Sequence, residues 1–145
     1  MNKLNQISRN NNGLFSNKLY NNIYPNGIEY HYWNLARFKI IHHLLKKMNL
    51  LFINGLSIGC GRGLDVMVLR NYGINIIGVE PSNAQPFKSI EKYITTNSSP
   101  LLLHAKSVHK INTIFLLEVL EHIDEPDLML NNIIKVLYKC SVYNY

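Results

Sequence analysis

Three glycines alternate with other residues in the stretch LSIGCGRGLDV, which covers residues 56–66. They are Gly59, Gly61 and Gly63, and a nearly all-apolar run precedes them. Glycine accepts positive φ and lets a ligand approach the bare backbone. A glycine turn between a strand and a helix therefore places backbone N–H groups beside a ligand. A tight turn that simply needs glycines would give the same pattern, so the motif alone leaves both interpretations open.

A second chemical feature is Glu80, at the end of the next apolar run, INIIGVE. A carboxylate there can accept hydrogen bonds from both hydroxyls of a ribose. The glycine turn and Glu80 together favour a nucleoside ligand. Nicotinamide dinucleotide enzymes use the spacing G-x-G-x-x-G, whose last position is Leu64 here. We therefore rank a dinucleotide dehydrogenase last.

The segment LLEVLEH carries the third feature, which consists of Glu118, Glu121 and His122. Two carboxylates and an imidazole could hold a divalent cation, and oxygen-rich ligation favours Mg²⁺ or Mn²⁺. His104 and His109 are further candidate ligands. Glu121 and His122 could equally serve only to position the loop. His122 is also the nearest candidate base, if an acceptor group must lose a proton.

Strand-like and helix-like patterns alternate around these residues. Residues 30–48 form an amphipathic pattern, with an apolar stripe of Trp33, Ala36, Ile40, Leu44 and Met48 that Ile41 and Leu45 widen. Helices are also predicted over residues 64–72, over residues 82–93, where Ser82 and Gln85 make a capping box, and from the Asp124–Asp127 region onward. Four strands are predicted in LFINGLSIG, INIIGVE, LLLHA and TIFLLEV, and TTNSSP is predicted as a loop. This order predicts an α/β fold with a parallel sheet.

The motifs LSIGCGRG, GVEPS and IFLLEVLEHIDEPD resemble the consecutive signatures of class I S-adenosylmethionine-dependent methyltransferases. The resemblance runs from about residue 33 to residue 138 and implies a Rossmann-like sheet with flanking helices. It implies that the turn Gly59, Cys60, Gly61 and Gly63 passes under the methionine and ribose parts of the cofactor, that Glu80 binds the ribose hydroxyls, and that Pro81 and Ser82 lie near the adenine. Glu118 lies near the carboxyl end of the fourth predicted strand, so we expect it to face the cleft and to belong to the cofactor site. The segment with Glu118, Glu121 and His122 is similar to that of ubiquinone-biosynthesis O-methyltransferases and small-RNA 2′-O-methyltransferases, whose matching residues are metal-associated. Mg²⁺ is therefore a second cofactor that the resemblance suggests.

The chain departs from the family pattern in three places. Ser57 stands where the family usually has an acid, and Ala105 and Lys106 stand where a residue touching the adenine is often polar or acidic. The family sheet has seven strands in the order 3-2-1-4-5-7-6, whereas four strands are predicted here. We therefore expect a domain truncated after the fourth strand and its helix. That strand would form an edge through which the chain could self-associate.

Composition places the chain among globular proteins, since 47% of its residues are apolar and 17% are charged. The net charge of +6 comes from residues 1–47, which carry seven basic side chains and one acidic one. We expect an asparagine-rich arm over residues 1–29, a partial methyltransferase domain over residues 30–145, no transmembrane segment and a cytoplasmic location.

The favoured function is methyl transfer to a small-molecule acceptor, or cofactor binding alone if truncation abolishes catalysis. A non-catalytic remnant or interaction module is one alternative. A fragment of an RNA-directed 2′-O-methyltransferase is the other, although nucleic acid is a disfavoured partner.

Overall fold

The structure is a computed structural model that describes residues 22–98 and 111–142, with side chains described up to residue 135. Its helices are α1 (Tyr32–Lys47), α2 (Leu64–Asn71) and α3 (Pro126–Val142), and its strands are β1 (Asn54–Ile58), β2 (Asn75–Val79), β3 (Ile94–Thr95) and β4 (Thr113–Phe115). Short 3-10 helices cover Ile28–Tyr30, Glu91–Tyr93 and Leu120–His122. No helix in the described ranges is both long and apolar enough to span a bilayer.

The strands form one parallel sheet in the order β3-β2-β1-β4. Leu56 is paired with Ile77 on one side and with Ile114 on the other, so β1 lies in the interior of the sheet. The chain runs outward from β1 to β3 and then returns to place β4 on the opposite side of β1. The switch point therefore lies between β1 and β4, where open α/β sheets bind ligands. The predicted α/β, Rossmann-like fold is confirmed.

Two apolar clusters cover the two faces of the sheet. Phe38 of α1 and Leu69 of α2 pack with Ile76 and Phe115 on one face. Met129 and Ile133 of α3 pack with Leu56, Ile58 and Val79 on the other face. The described part of the chain is thus a helix–sheet–helix sandwich, which explains why β1 and β2 are apolar on both sides.

The orientation of α1 differs from the prediction. Trp33, Ile40 and Met48 of the predicted stripe are 61%, 60% and 64% exposed, whereas Phe38 is fully buried. Both sides of this helix are apolar, so burial energy of roughly 1.5–3 kcal/mol per large side chain does not separate them. Polar contacts decide the orientation. Asn34 donates to the carbonyl of Ile28 at 2.9 Å on the inward side, and Arg37 forms an ion pair there.

The predicted helix over residues 82–93 is also wrong. Only Glu91–Tyr93 forms a short 3-10 helix. The Ser82 hydroxyl accepts the N–H of Ala84 at 3.2 Å, a local turn contact that competes with a helix cap. Strand β3 then forms at residues 94–95, at the start of the predicted loop. The strand predicted over residues 101–105 lies outside the described residues, and so do Ala105 and Lys106.

The fourth strand is shorter than predicted, because it ends at Phe115 and not at Val119. Residues 117 and 118 form a bend, and Glu118 has a left-handed φ of 58°. A three-residue strand offers little edge for pairing. Self-association through this edge stays a prediction.

Two glycines with the same backbone conformation test how closely the turn after β1 is packed. Gly63 and Gly73 have φ values of 84° and 85°. A Cβ at Gly63 would overlap the Cδ1 atom of Ile94, whereas a Cβ at Gly73 would meet nothing within 4 Å. We expect both alanine variants to lose roughly 1–2 kcal/mol of unfolding free energy to the left-handed backbone. We expect Gly63→Ala to lose about 1–3 kcal/mol more through overpacking. Urea unfolding followed by circular dichroism measures both losses, and equal losses would contradict this packing.

Candidate functional site

The glycine turn folds back onto the end of β2. Gly59, Gly61 and Gly63 all have left-handed φ values, of 72°, 54° and 84°. The N–H of Gly59 donates to the carbonyl of Val79 at 2.8 Å. The turn thus lies at the carboxyl ends of two neighbouring strands, as its sequence predicted.

Glu80 joins the turn to the loop that follows β2. Its side chain is 4% exposed. One carboxylate oxygen accepts the N–H of Gly61 at 2.8 Å, and the other accepts the N–H of Ser82 at 2.8 Å. The carboxylate thus draws the glycine turn and the residues after β2 towards the end of that strand. The structure therefore brings Gly61, Glu80, Pro81 and Ser82 together at one place.

Cys60 has a packing role in this turn. A Cβ at Gly78 would lie 2.6 Å from its sulfur, which shows how closely the two residues approach. Burial raises the pKa of the Cys60 thiol, and the nearby Asp65 and Glu80 carboxylates raise it further. The thiol therefore keeps its proton and is not an activated nucleophile.

A buried carboxylate lies directly beneath the turn. Asp65, in the first turn of α2, is 6% exposed and accepts a hydrogen bond from the hydroxyl of Ser57. The acid that the family usually carries at position 57 is absent, but Asp65 places a carboxylate against that position. Burial is the main cause that raises the pKa of Asp65. Its Oδ1 atom is buried without a hydrogen-bond partner among the described residues.

Glu118 lies at the bend after β4 and faces α1. It forms an ion pair with Arg37 and accepts a hydrogen bond from the Tyr24 hydroxyl at 3.3 Å. Burial, and then the charge of Glu118, raise the pKa of Tyr24 to about 12, so the phenol stays protonated. The Nε atom of Arg37 is buried and has no hydrogen-bond partner within the described part of the chain. Val119 packs against the turn, because a Cβ at Gly59 would lie 2.8 Å from its Cγ2 atom.

Arg62 ties the turn to the segments on both sides of it. Its guanidinium donates to the carbonyl of Tyr24 at 2.5 Å and to the carbonyl of Gln85 at 3.1 Å. It also stacks over the Phe87 ring, 4.4 Å from the centroid. Arg62 therefore links the N-terminal residues around Tyr24 and the loop after Glu80 to the glycine turn.

Sequence reasoning missed four of these residues, namely Tyr24, Arg37, Arg62 and Asp65. Tyr24 lies in the segment predicted as an arm, yet it packs against the core. Arg37 shares the inward side of α1 with Asn34 and Leu45, so a correct choice of the buried face would have identified it. Asp65 follows Gly63 by two positions, and an acid so close to a glycine turn is the signal that the sequence offers.

The structure does not assemble the predicted metal set. No group of three His, Cys, Asp or Glu side chains in residues 22–98 and 111–135 is placed to hold a metal ion. Glu118 points to Arg37 and Tyr24, while Glu121 and His122 lie in the exposed 3-10 helix after the bend. His104 and His109 lie outside the described residues. The site thus contains Glu118 but does not gather Glu121 and His122 around it.

Comparison with known proteins agrees with this geometry. A family model described as a methyltransferase domain matches residues 30–139, which is most of the chain. No curated protein and no solved structure matches it. With the parallel sheet, its strand order and the turn at its switch point, this match shows that the chain belongs to the methyltransferase domain family, of the class I S-adenosylmethionine-dependent type.

Proposed function

We propose that the chain binds S-adenosylmethionine at the glycine turn and transfers its methyl group to a small-molecule acceptor. The observation that carries this proposal is the buried Glu80 carboxylate, which bridges the N–H groups of Gly61 and Ser82 at the carboxyl ends of β1 and β2. A buried carboxylate beside a bare backbone, at the end of the second strand of such a sheet, is the kind of group that binds two vicinal ribose hydroxyls. Pro81 and Ser82 would then border the adenine, and Gly59, Cys60, Gly61 and Gly63 would lie under the methionine and ribose parts.

Two buried polar atoms support a ligand with an amino-acid end. The Oδ1 atom of Asp65 is an acceptor and the Nε atom of Arg37 is a donor, and neither has a hydrogen-bond partner among the described residues. Burial dominates the raised pKa of Asp65, but Arg37 is close enough for its charge to oppose that shift. Each side chain has a partner at its other atoms, but a buried polar atom left without one is costly unless a ligand completes it. An ammonium group on Asp65 and a carboxylate on Arg37 would complete both.

The chain's main contribution to methyl transfer would be positioning. The sulfonium of the cofactor supplies an activated methyl group, so a protein that aligns the acceptor removes much of the remaining barrier. Arg37 and Glu118 hold each other at the switch point, and the Tyr24 hydroxyl donates a hydrogen bond to that pair. His122, four residues after Glu118 and exposed, is the candidate base for an acceptor that must lose a proton.

One observation favours the alternative, in which the site is only structural. Both oxygens of Glu80 already hold a backbone donor, so the turn is internally satisfied. A non-catalytic remnant would keep this arrangement for stability alone. Ligand binding separates the two functions.

S-adenosylhomocysteine binding tests the proposal at Glu80. We expect isothermal titration calorimetry to detect binding by the wild type. We expect Glu80→Gln to weaken it on the order of tenfold to a hundredfold, because hydrogen bonds to charged groups contribute about 1.5–3 kcal/mol. Glu91→Gln changes an exposed carboxylate on the short helix before β3 and should leave affinity unchanged. Absence of heat at millimolar ligand, from a sample with a folded circular dichroism spectrum, would favour the structural role.

Arg37→Gln tests the amino-acid end when two ligands are compared. S-adenosylhomocysteine carries ammonium and carboxylate groups, whereas 5′-methylthioadenosine lacks both. We expect the variant to bind the first ligand at least tenfold more weakly and the second equally well, because a charge-assisted contact is lost only in the first case. Lys39→Gln, on the outward side of the same helix, is the control. An equal loss for both ligands would show that Arg37 acts only by supporting the fold.

Asp65→Asn should make the ligand-free protein more stable and its ligand binding weaker. Burial raises the pKa of Asp65, so its charged form destabilises the ligand-free protein at neutral pH. A raised folded-state pKa gives stability at low pH that is lost as pH rises through that pKa. We therefore expect the Asp65→Asn variant to unfold at a higher urea concentration than the wild type at neutral pH. The difference between the two urea midpoints should become smaller in acid. The variant should also bind S-adenosylhomocysteine more weakly. Glu121→Gln, at an exposed carboxylate, should show neither effect, and an unchanged urea midpoint for Asp65→Asn would contradict this account.

A further inference from the structure

The outward side of α1 carries an apolar stripe that is exposed in the described part of the chain. Trp33, Ala36, Ile40, Leu44 and Met48 recur at spacings of three and four, and all are exposed. Side chains at these spacings lie on one side of a helix. Contiguous exposed apolar surface of this kind marks an interaction site in a folded protein.

Basic side chains run along one border of the stripe. Lys39, His43 and Lys46 follow each other at spacings of four and three, and Lys47 lies at the end of the helix. All four are exposed. A shallow depression of about 370 Å³ is lined by Ala36, Lys39, Ile40 and His43, where the apolar stripe meets the basic border. This side of the helix carries no acidic residue.

We propose that the outward side of α1 docks the protein on the surface of an anionic phospholipid bilayer. A helix with Trp and Leu on one side and Lys beside them lies in the plane of a membrane interface, with its apolar side in the headgroup region. Each lysine near such a surface adds attraction to anionic headgroups. The protein would attach peripherally, since none of the described helices can cross a bilayer.

The charge pattern favours this occupant over two others. A second copy of the chain would bring three lysines from each copy into one interface without an acid of this helix side to pair with them. An RNA phosphate backbone would use the lysines but leave the apolar stripe in water. A bilayer with anionic headgroups is complementary to both halves of the surface. This proposal is independent of the methyl-transfer function.

The tryptophan provides a direct reporter, because Trp33 is the single tryptophan of the chain and lies on the stripe. The full chain is titrated with phosphatidylcholine vesicles that do or do not contain phosphatidylserine. We expect the Trp33 emission to shift to shorter wavelength with the phosphatidylserine vesicles, brominated lipid to quench it, and added salt to weaken the binding. An emission that stays unchanged with anionic vesicles, while the sample is folded, overturns the proposal.

Variants separate the apolar and basic contributions. The Lys39→Gln, Lys46→Gln, Lys47→Gln triple variant should partition on the order of a hundredfold more weakly, since each lysine contributes about fivefold at an anionic surface and the three factors multiply. Leu44→Ser should weaken partitioning several-fold. Ile134→Ser on α3 is its matched control, because Leu44 and Ile134 are 49% and 48% exposed. Equal partitioning of Leu44→Ser and Ile134→Ser contradicts the assignment to this side of α1.

The same reporter identifies the competing occupants. A Trp33 shift that appears with protein concentration in the absence of vesicles, together with a doubled mass in solution, would assign the surface to a second copy. A salt-dependent Trp33 response to a single-stranded RNA oligonucleotide, without a response to anionic vesicles, would assign it to RNA. Either result overturns the membrane proposal.

Discussion

The buried carboxylate of Glu80 is the constraint on which the site depends. A carboxylate removed from water is costly unless donors surround it, and here the donors are the N–H groups of Gly61 and Ser82. Both donors must therefore converge on the end of β2. The N–H of Gly59 reaches the same strand end through Val79, and the N–H of Glu80 donates to the carbonyl of Thr95 at 2.9 Å, which fixes β3. The carboxylate of one residue thus aligns the glycine turn with the loop after β2, and the backbone N–H of the same residue holds the outermost described strand.

The ion pair of Arg37 and Glu118 also links two parts of the chain, but it stabilises the fold less than the buried contacts of Glu80 do. The pair of Arg37 and Glu118 is only partly buried, so its own contribution to stability is small. Its value lies in placement. Glu118 adopts a left-handed backbone that a non-glycine residue rarely takes, and such conformations cluster at functional sites. The observed strain thus lies at the switch point, beside the ion pair with Arg37.

Features of the fold could be predicted from the sequence where they depend on residues that are close together in the chain. The glycine turn, Glu80 and the strands β1 and β2 follow from residue types at short spacing, and all were predicted. The buried side of α1 was not, because Phe38 and Leu45 are as apolar as Ile40 and Leu44, and the deciding contacts come from Ile28 and Glu118. The burial of Asp65 escaped prediction for the same reason, since it arises from contact with Ser57 of β1. The helix predicted after Ser82 does not form, because the Ser82 hydroxyl accepts the N–H of Ala84 in a local turn and does not cap a helix.

The orientation of α1 links the interior site to the outer surface. Turning the helix to bury Ile40 and Leu44 would carry Arg37 away from Glu118 and Asn34 away from Ile28, and it would expose Phe38. Because the inward polar contacts fix the orientation of α1, the opposite side with Trp33 and Leu44 faces solvent. Such a surface weakens solubility unless something covers it. Because one rigid helix carries both sides, a partner bound outside would hold Arg37 at a fixed distance from its own surface. Docking and ligand placement would then be geometrically coupled through α1.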